Sequence, residues 1–111
     1  MANFSLLFGA AQTDFMLVPT APRERLTITR VAIYCDNANS VDVGCTIGFG
    51  KTAQQPFTGH PGIAAGSGFI ELYAEGVVEG DLGEHLLFTC ETPTGGGIRV
   101  SGSYQRHIFE R

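Results

Sequence analysis

SVDVGCTIGFG, residues 40–50, is the stretch that decides the fold. Apolar side chains occupy every second position, and small or polar side chains fill the positions between them. The apolar set is Val41, Val43, Cys45, Ile47 and Phe49. Because successive side chains of a β-strand point to opposite faces, this alternation predicts a strand with one buried face. No window along the chain shows a helical three-and-four apolar spacing free of glycine or β-branched runs, so we predict an all-β protein.

The preceding run, RLTITRVAIYC at 25–35, is also a predicted strand, but its apolar positions change phase midway. The two sets are Leu26 and Ile28, and then Val31, Ile33 and Cys35. One inserted residue moves all later side chains to the opposite face of a sheet. We therefore predict a β-bulge near Thr29–Arg30, which lets both sets face the same core.

Two turn-like segments predict two hairpins. DNANS, 36–40, joins the runs described above, and its Asp and Asn side chains can bond local backbone. ETPTGGG, 91–97, joins the apolar runs 84–90 and 97–109, and its glycines permit a tight turn. Each pair of flanking runs is expected to pair within one sheet.

The remaining strands are shorter and complete a predicted sandwich. Phe69–Leu72 and residues 75–80 lie between the two hairpins, while FSLLF at 4–8 is either a first strand or an extended arm. Seven or eight short strands with frequent turns indicate an antiparallel β-sandwich of jelly-roll type. We divide the chain into residues 1–22, an N-terminal arm or first strand, and a sandwich domain at 23–111.

The glycine-rich stretch PFTGHPGIAAGSGFIEL, 56–72, does not have the pattern of a phosphate-binding loop. No Lys or Arg lies between Thr52 and Ile98, and the required helix is absent from the pattern. Residues 51–68 show little strand pattern, so we interpret them as a connector and contact loop without a nucleotide. Nothing in the sequence indicates a catalytic serine or carboxylate pair, a metal site or a cofactor.

Charge excludes one class of partner and suggests another. The net charge is −4 and the isoelectric point about 5.2, whereas nucleic-acid binding needs a basic surface. Acidic residues are concentrated between 71 and 91, and basic residues towards the two ends of the chain. The acids are either a solvated face or a surface complementary to a neighbouring subunit. Candidate partner contacts of this kind are Arg23, Arg25, Glu75, Glu79 and Asp81.

The cysteines and the N-terminal segment indicate the cellular compartment in which the protein is expected to assemble. Three cysteines cannot all pair within one chain, and we predict three reduced, mostly buried thiols, which suit assembly in a reducing cytoplasm. The apolar N-terminal residues lack a basic region and are interrupted by polar residues, so neither a signal peptide nor a membrane span is expected. In the arm alternative, Phe4, Leu6 and Phe8 contact a neighbouring subunit or another partner protein.

Residues 61–71, PGIAAGSGFIE, and 76–106, GVVEGDLGEHLLFTCETPTGGGIRVSGSYQR, carry a family resemblance. Across Arg23 to Tyr104 the chain resembles small structural proteins of tailed-bacteriophage virions. The resemblance implies a β-sandwich that assembles in the host cytoplasm and becomes part of the virion. It also implies a homo-oligomer, with a trimer favoured, and the major capsid protein or another virion protein as partner.

The leading functional expectation is a non-enzymatic capsid decoration (cement) protein that stabilises the phage head. A tail or fibre component is the alternative within the virion. A carbohydrate-binding adhesion module is the alternative outside this class, in which aromatic rings stack on sugars. The candidate rings for that purpose are Phe49, Phe57, Phe69 and Tyr73, although Phe at alternating strand positions is more often a core residue than a stacking platform.

Overall fold

A computed structural model describes residues 2–109. Met1, Glu110 and Arg111 lie outside the described residues, and Arg111 is one of the basic residues near the C-terminal end of the sequence. The described chain forms two antiparallel sheets and no helix. The strands are β1 (Ala2–Phe8), β2 (Gln12–Val18), β3 (Glu24–Cys35), β4 (Val43–Gly50), β5 (Gln55–Ile63), β6 (Gly68–Leu72), β7 (Val78–Glu79), β8 (His85–Cys90) and β9 (Ile98–Ile108).

The order of the strands is that of a jelly roll. Sheet A has the order β1-β9-β3-β6, with the short β7 also beside β3, and sheet B has the order β2-β8-β4-β5. The first strand therefore pairs with the last and the second with the last but one, which is how a jelly roll wraps its chain across two sheets. The predicted antiparallel jelly-roll sandwich is confirmed, with nine strands in the described chain instead of seven or eight.

The predicted bulge in β3 is also confirmed. Ile28 faces Tyr104 and Arg30 faces Ser103, so Thr29 is the extra residue on its strand. The apolar residues on both sides of the bulge are fully or almost fully buried. The bulge therefore keeps a twelve-residue strand facing one core despite its change of phase.

Both predicted hairpins are wrong. β3 lies in sheet A and β4 in sheet B, and β8 and β9 are divided between the sheets in the same way. A polar turn between two apolar runs is compatible with a hairpin or with a crossing between sheets, and its local chemistry is similar in both. Strands that are distant in sequence determine which of the two forms, because β3 pairs with β9 and β4 pairs with β8.

The interpretation of residues 51–68 as a connector is wrong for its central part, which forms β5. β5 pairs with β4 and is an edge strand of sheet B. Pro56 and Pro61 have no N–H to donate, so this sequence is tolerated only at an edge, and its two prolines conceal the strand pattern.

Val41, which was predicted on the apolar face of the 40–50 strand, precedes β4 and is 52% exposed, so the apolar face of that strand begins at Val43.

Of the two alternatives for the N-terminal segment, the structure shows the first strand. β1 pairs with β9 along its whole length. Phe8 is buried in the core between the sheets, and Phe4 and Leu6 pack against that core. The extended-arm alternative is therefore incorrect for this protomer.

The core lies between the inner faces of the two sheets and includes the cysteines. Cys35, Cys45 and Cys90 are free and buried among aliphatic and aromatic side chains, in agreement with their predicted packing role. Residues 2–109 contain no helix with the length and apolar character of a membrane span.

Candidate interaction surface

Three cross-strand rows on the outer face of sheet A run over β1, β9, β3 and β6. We call this surface the A face. The antiparallel registers place the residues of each row side by side. The rows are Leu7, Arg99, Tyr34 and Gly68; Ser5, Ser101, Ala32 and Ile70; and Asn3, Ser103, Arg30 and Leu72.

Large apolar side chains on the A face are exposed at both of its edges. Leu7 on β1 is 59% exposed, while Ile70 and Leu72 on β6 are 67% and 76% exposed. Tyr34 lies between these edges and is 45% exposed. A surface strand normally turns polar side chains to water, so these residues mark an unusually apolar surface.

β6 also leaves one side of its backbone unpaired. It is an edge strand whose sequence, GFIEL, contains no proline or lysine to hinder the pairing of another strand. The edge strands of sheet B differ, because β5 contains Pro56 and Pro61 and β2 has two irregularities in its register. β6 is therefore an open edge with apolar side chains beside it.

A shallow depression of about 470 Å³ lies on the A face next to β6. Ala32 and Gly68 form part of its lining, together with the larger Tyr34, Ile70 and Arg99. Gly68 is required here because an added Cβ would lie 2.2 Å from the carbonyl oxygen of Ile33. The small residues thus let β6 lie close to β3 and leave a hollow that an apolar side chain can fill.

The polar residues of the three rows that form the A face include cations but no carboxylates. Arg30 donates a hydrogen bond from Nη2 to Ser101 Oγ over 3.4 Å, and Ser103 Oγ donates to Asn3 Oδ1 over 2.7 Å. Arg99 is exposed near the depression. The face therefore combines an apolar edge with positive charge, although the whole chain is acidic.

The apolar partner contacts predicted in β1 lie on the other side of the strand. Phe4, Leu6 and Phe8 point into the sandwich, whereas Leu7, which was not predicted as a contact, is exposed on the A face. The phase of Leu7, opposite to that of its neighbours, was the signal in the sequence that could have identified it. For Ile70 and Leu72 no such signal existed, because a five-residue strand does not show which face will be covered.

The acidic and basic residues predicted to face a neighbouring subunit are partly paired within the chain. Arg25 Nη1 lies 2.9 Å from Glu79 Oε1, because β7 pairs with β3 and brings Glu79 opposite Thr27. The Arg25 guanidinium also lies 5.4 Å from the ring centroid of Phe109. Arg23, Glu75 and Asp81 are exposed. Charges that are segregated along the sequence are therefore partly adjacent in space.

A second ion pair stabilises the same end of the molecule. Arg106 Nη1 lies 2.9 Å from Glu24 Oε1 and donates a hydrogen bond to the carbonyl oxygen of Pro19. Glu24 Oε1 also accepts a hydrogen bond from the backbone N–H of Ala21. This bond is the main reason that the pKa of Glu24 is lowered, and the Arg106 guanidinium lowers that pKa further. These contacts fix the turn between β2 and β3.

The aromatic residues considered for sugar stacking are packed together at the β5–β6 edge of the sandwich. Phe49 is 8% exposed, and its ring centroid lies 5.3 Å from that of Phe57, which in turn lies 5.9 Å from that of Tyr73. Phe69 packs against the core as well. Burial raises the pKa of the Tyr73 phenol. These rings pack against the core and do not form an exposed platform, so the core alternative holds for them.

A second concave surface lies on sheet B. It is a groove of about 500 Å³ whose lining includes Gly44 and Gly59, with Thr13, His60 and Glu91 among the larger residues around them. Glu91 Oε1 accepts a hydrogen bond from the backbone N–H of Gly44 over 2.7 Å. A Cβ at either glycine would lie within about 2.6 Å of neighbouring atoms, so both are needed for the close packing beneath the groove.

Within the described chain, no group of three or more His, Cys, Asp or Glu residues could hold a metal ion. Ser67 of the Gly-Ser-Gly sequence is exposed in the turn before β6 and donates its backbone N–H to Ala64.

No protein-family model matches the chain, and the search of curated proteins finds no similar sequence. The jelly-roll topology and the A face are therefore the observations from which a function can be argued.

Proposed function

We propose that this chain is a non-enzymatic virion structural protein, a capsid decoration (cement) protein that binds and stabilises a phage head as a homo-oligomer. The observation that carries the association is the A face, where exposed apolar residues adjoin the open edge of β6. The virion assignment is supported by the sequence resemblance described above and by the jelly-roll fold, which is used by viral capsid proteins among others.

The physical basis of association is the removal of apolar surface and of unpaired backbone from water. Ile70 and Leu72 are more than half exposed, and burying each stabilises a complex by about 1.5–3 kcal/mol before ordering costs. An added strand would also pair the open backbone groups of β6. In the favoured cyclic trimer, β6 of one protomer would meet a different surface of the next, because three-fold interfaces are heterologous.

The test is size-exclusion chromatography with light scattering, first on the protein alone and then with expanded empty phage heads that lack a decoration protein. The proposal predicts a trimer and co-elution with the heads. A monomer at all concentrations that binds neither heads nor tails would contradict it. Binding to isolated tails but not to heads would instead identify the alternative, a tail or fibre component.

A carbohydrate-binding adhesion module is the second candidate, and the groove on sheet B is the observation that favours it. Hydroxyl and carboxylate groups of Thr13, Thr46 and Glu91 lie around it and can bond sugar hydroxyls. The test is retention of the protein on immobilised host-cell polysaccharide. This candidate predicts that Thr13→Trp, which fills the groove, abolishes retention, and that Thr52→Trp, in the exposed β4–β5 turn, leaves it unchanged. Equal retention of both variants, or none of the wild type, would contradict it.

A further inference from the structure

Cys45 and Cys90 face each other across the centre of sheet B. β4 and β8 pair in a register that places Cys45 directly opposite Cys90. Both side chains belong to the buried core, Cys45 being 5% and Cys90 4% exposed. Cys35 lies in sheet A, where the register places Ile98 opposite it. Only one pair of the three cysteines is therefore aligned for a bond between neighbouring strands.

The hydrogen-bond pattern shows which kind of cross-strand pair this is. The backbone N–H of Glu91 donates to the carbonyl oxygen of Gly44 over 2.9 Å, so residues 44 and 91 form a hydrogen-bonded pair. Pairs alternate along an antiparallel ladder, which makes Cys45 and Cys90 a non-hydrogen-bonded pair. In such pairs the Cα atoms lie about 4.5 Å apart, at the short end of the range of about 4.4–6.8 Å that a disulfide spans.

We propose that Cys45 and Cys90 form an intrachain disulfide when the protein is exposed to peroxide. In the first step one thiol reacts with hydrogen peroxide and gives a sulfenic acid and water. In the second step the facing thiol attacks the sulfenic sulfur, the S–S bond forms, and a second water leaves. Two thiols are oxidised and one peroxide is reduced, so no further reactant is needed.

The burial of both thiols sets the rate of this reaction. The thiolate is the reactive form, and desolvation raises the pKa of Cys45 to about 11 and that of Cys90 in the same direction. We therefore expect slow oxidation at neutral pH and faster oxidation as the pH rises. The product would join the two central strands of sheet B and close the chain segment that holds β5, β6 and β7, which restricts the unfolded state.

The experiment uses the full-length protein, purified with reductant and then treated with a small excess of hydrogen peroxide at pH 8.5. The expected result is a mass loss of about 2 Da, a single remaining thiol that maps to Cys35, and a Tm several degrees higher that returns to its starting value with dithiothreitol. Cys35→Ala should still lose this mass, whereas Cys90→Ala should not.

Peptide mapping of the oxidised wild-type protein decides the question even if a variant fails to fold. Three results would overturn the proposal. They are a non-reducible mass gain on separate cysteines, a disulfide that includes Cys35, and no change in mass after prolonged peroxide treatment.

Discussion

Asn39 shows how much of this fold depends on one buried polar side chain. It is 5% exposed and lies in the loop between β3 and β4. Its Nδ2 donates to the carbonyl oxygens of Asp36 and Gly97, and its Oδ1 accepts from the backbone N–H groups of Thr94 and Gly96. One amide thus joins the two loops that cross between the sheets at this end of the molecule.

Replacing this amide should be costly. We expect Asn39→Ala to lower the free energy of unfolding by about 2–4 kcal/mol, because backbone groups of both loops lose their partners inside the protein. Urea denaturation measures the loss. Asn37→Ala, in the same loop but exposed, is the matched control and should change stability by less than about 0.5 kcal/mol. Equal effects of the two changes would show that the amide bonds contribute nothing specific.

The buried thiol of Cys45 should make stability depend on pH in the alkaline range. Its pKa rises from 9.0 to about 11 on folding, so the neutral thiol is favoured by the native state. The resulting stabilisation is complete below pH 9 and is lost as the pH rises through 11, with a size on the order of 2–3 kcal/mol. Denaturation curves at pH 8 and 10.5 should therefore diverge less in Cys45→Ala than in the wild type. An unchanged difference would contradict this assignment.

At the scale of single strands, the phase of the apolar residues was readable from the sequence and the pairing was not. The bulge at Thr29 follows from two phases within one run, because only an inserted residue lets both sets reach one core. The partners of β3, β4, β8 and β9 do not follow from local sequence, because a turn such as DNANS suits a crossing as well as a hairpin. β5 was missed because its prolines break the pattern that defines a strand.

The candidate site was predictable only in part for the same reason. Arg25 and Glu79 were each selected from the sequence as contacts to a neighbouring subunit, whereas their contact with each other depends on the distant pairing of β7 with β3. The exposure of Ile70 and Leu72 follows from the register of β6 on β3, which turns them to the outer face of sheet A, and from the edge position of β6 in that sheet; both are properties of the assembled sheet.

The edge strand β6 should control self-association if the proposed function is correct. Ile70→Lys places a charge on the apolar side of the open edge, and we expect it to weaken oligomerisation or head binding at least tenfold without loss of the fold. Met16→Lys on β2 is the matched control, because Met16 is also an exposed apolar residue on an edge strand, but in sheet B. Analytical ultracentrifugation with circular dichroism measures both effects, and equal weakening by the two variants would argue against β6.

β1 should be part of the cooperative fold. Deletion of residues 1–9 removes the strand that covers the edge of β9, and we expect the truncated protein to lose its cooperative thermal transition. Two point variants test whether the buried side of β1 accounts for its contribution to stability. Phe8→Ala should cost about 3–5 kcal/mol because the ring is buried, whereas Leu7→Ala should cost less than about 0.5 kcal/mol. A truncated protein that still melts cooperatively would contradict this prediction.

For the whole molecule, the jelly-roll order makes most pairings distant in sequence. β1 pairs with β9, and β2 pairs with β8, so neither partner is available until nearly the entire chain is present. Distant pairing slows folding because loop-closure entropy is lost before the contacts form. These distant pairings bring together one core, whose buried residues come from seven of the nine strands in the described chain.

We therefore expect refolding from urea to take milliseconds to seconds, measured by stopped-flow fluorescence of the tyrosines. Asn39→Ala should mainly accelerate unfolding if the crossing loops order late, and mainly slow refolding if they order early. Complete refolding in less than about 0.1 ms would contradict the expectation drawn from topology.

The pairing of β1 with β9 has a consequence for engineering. Ala2 lies opposite Tyr104, and β9 ends only four residues later at Ile108, about 13 Å farther along the sheet. The crossing loops fastened by Asn39 lie beyond the other end of these strands. A tag or cargo attached next to Ala2 or Ile108 would thus be displayed from the same pole, and the opposite pole with its crossing loops would stay unobstructed.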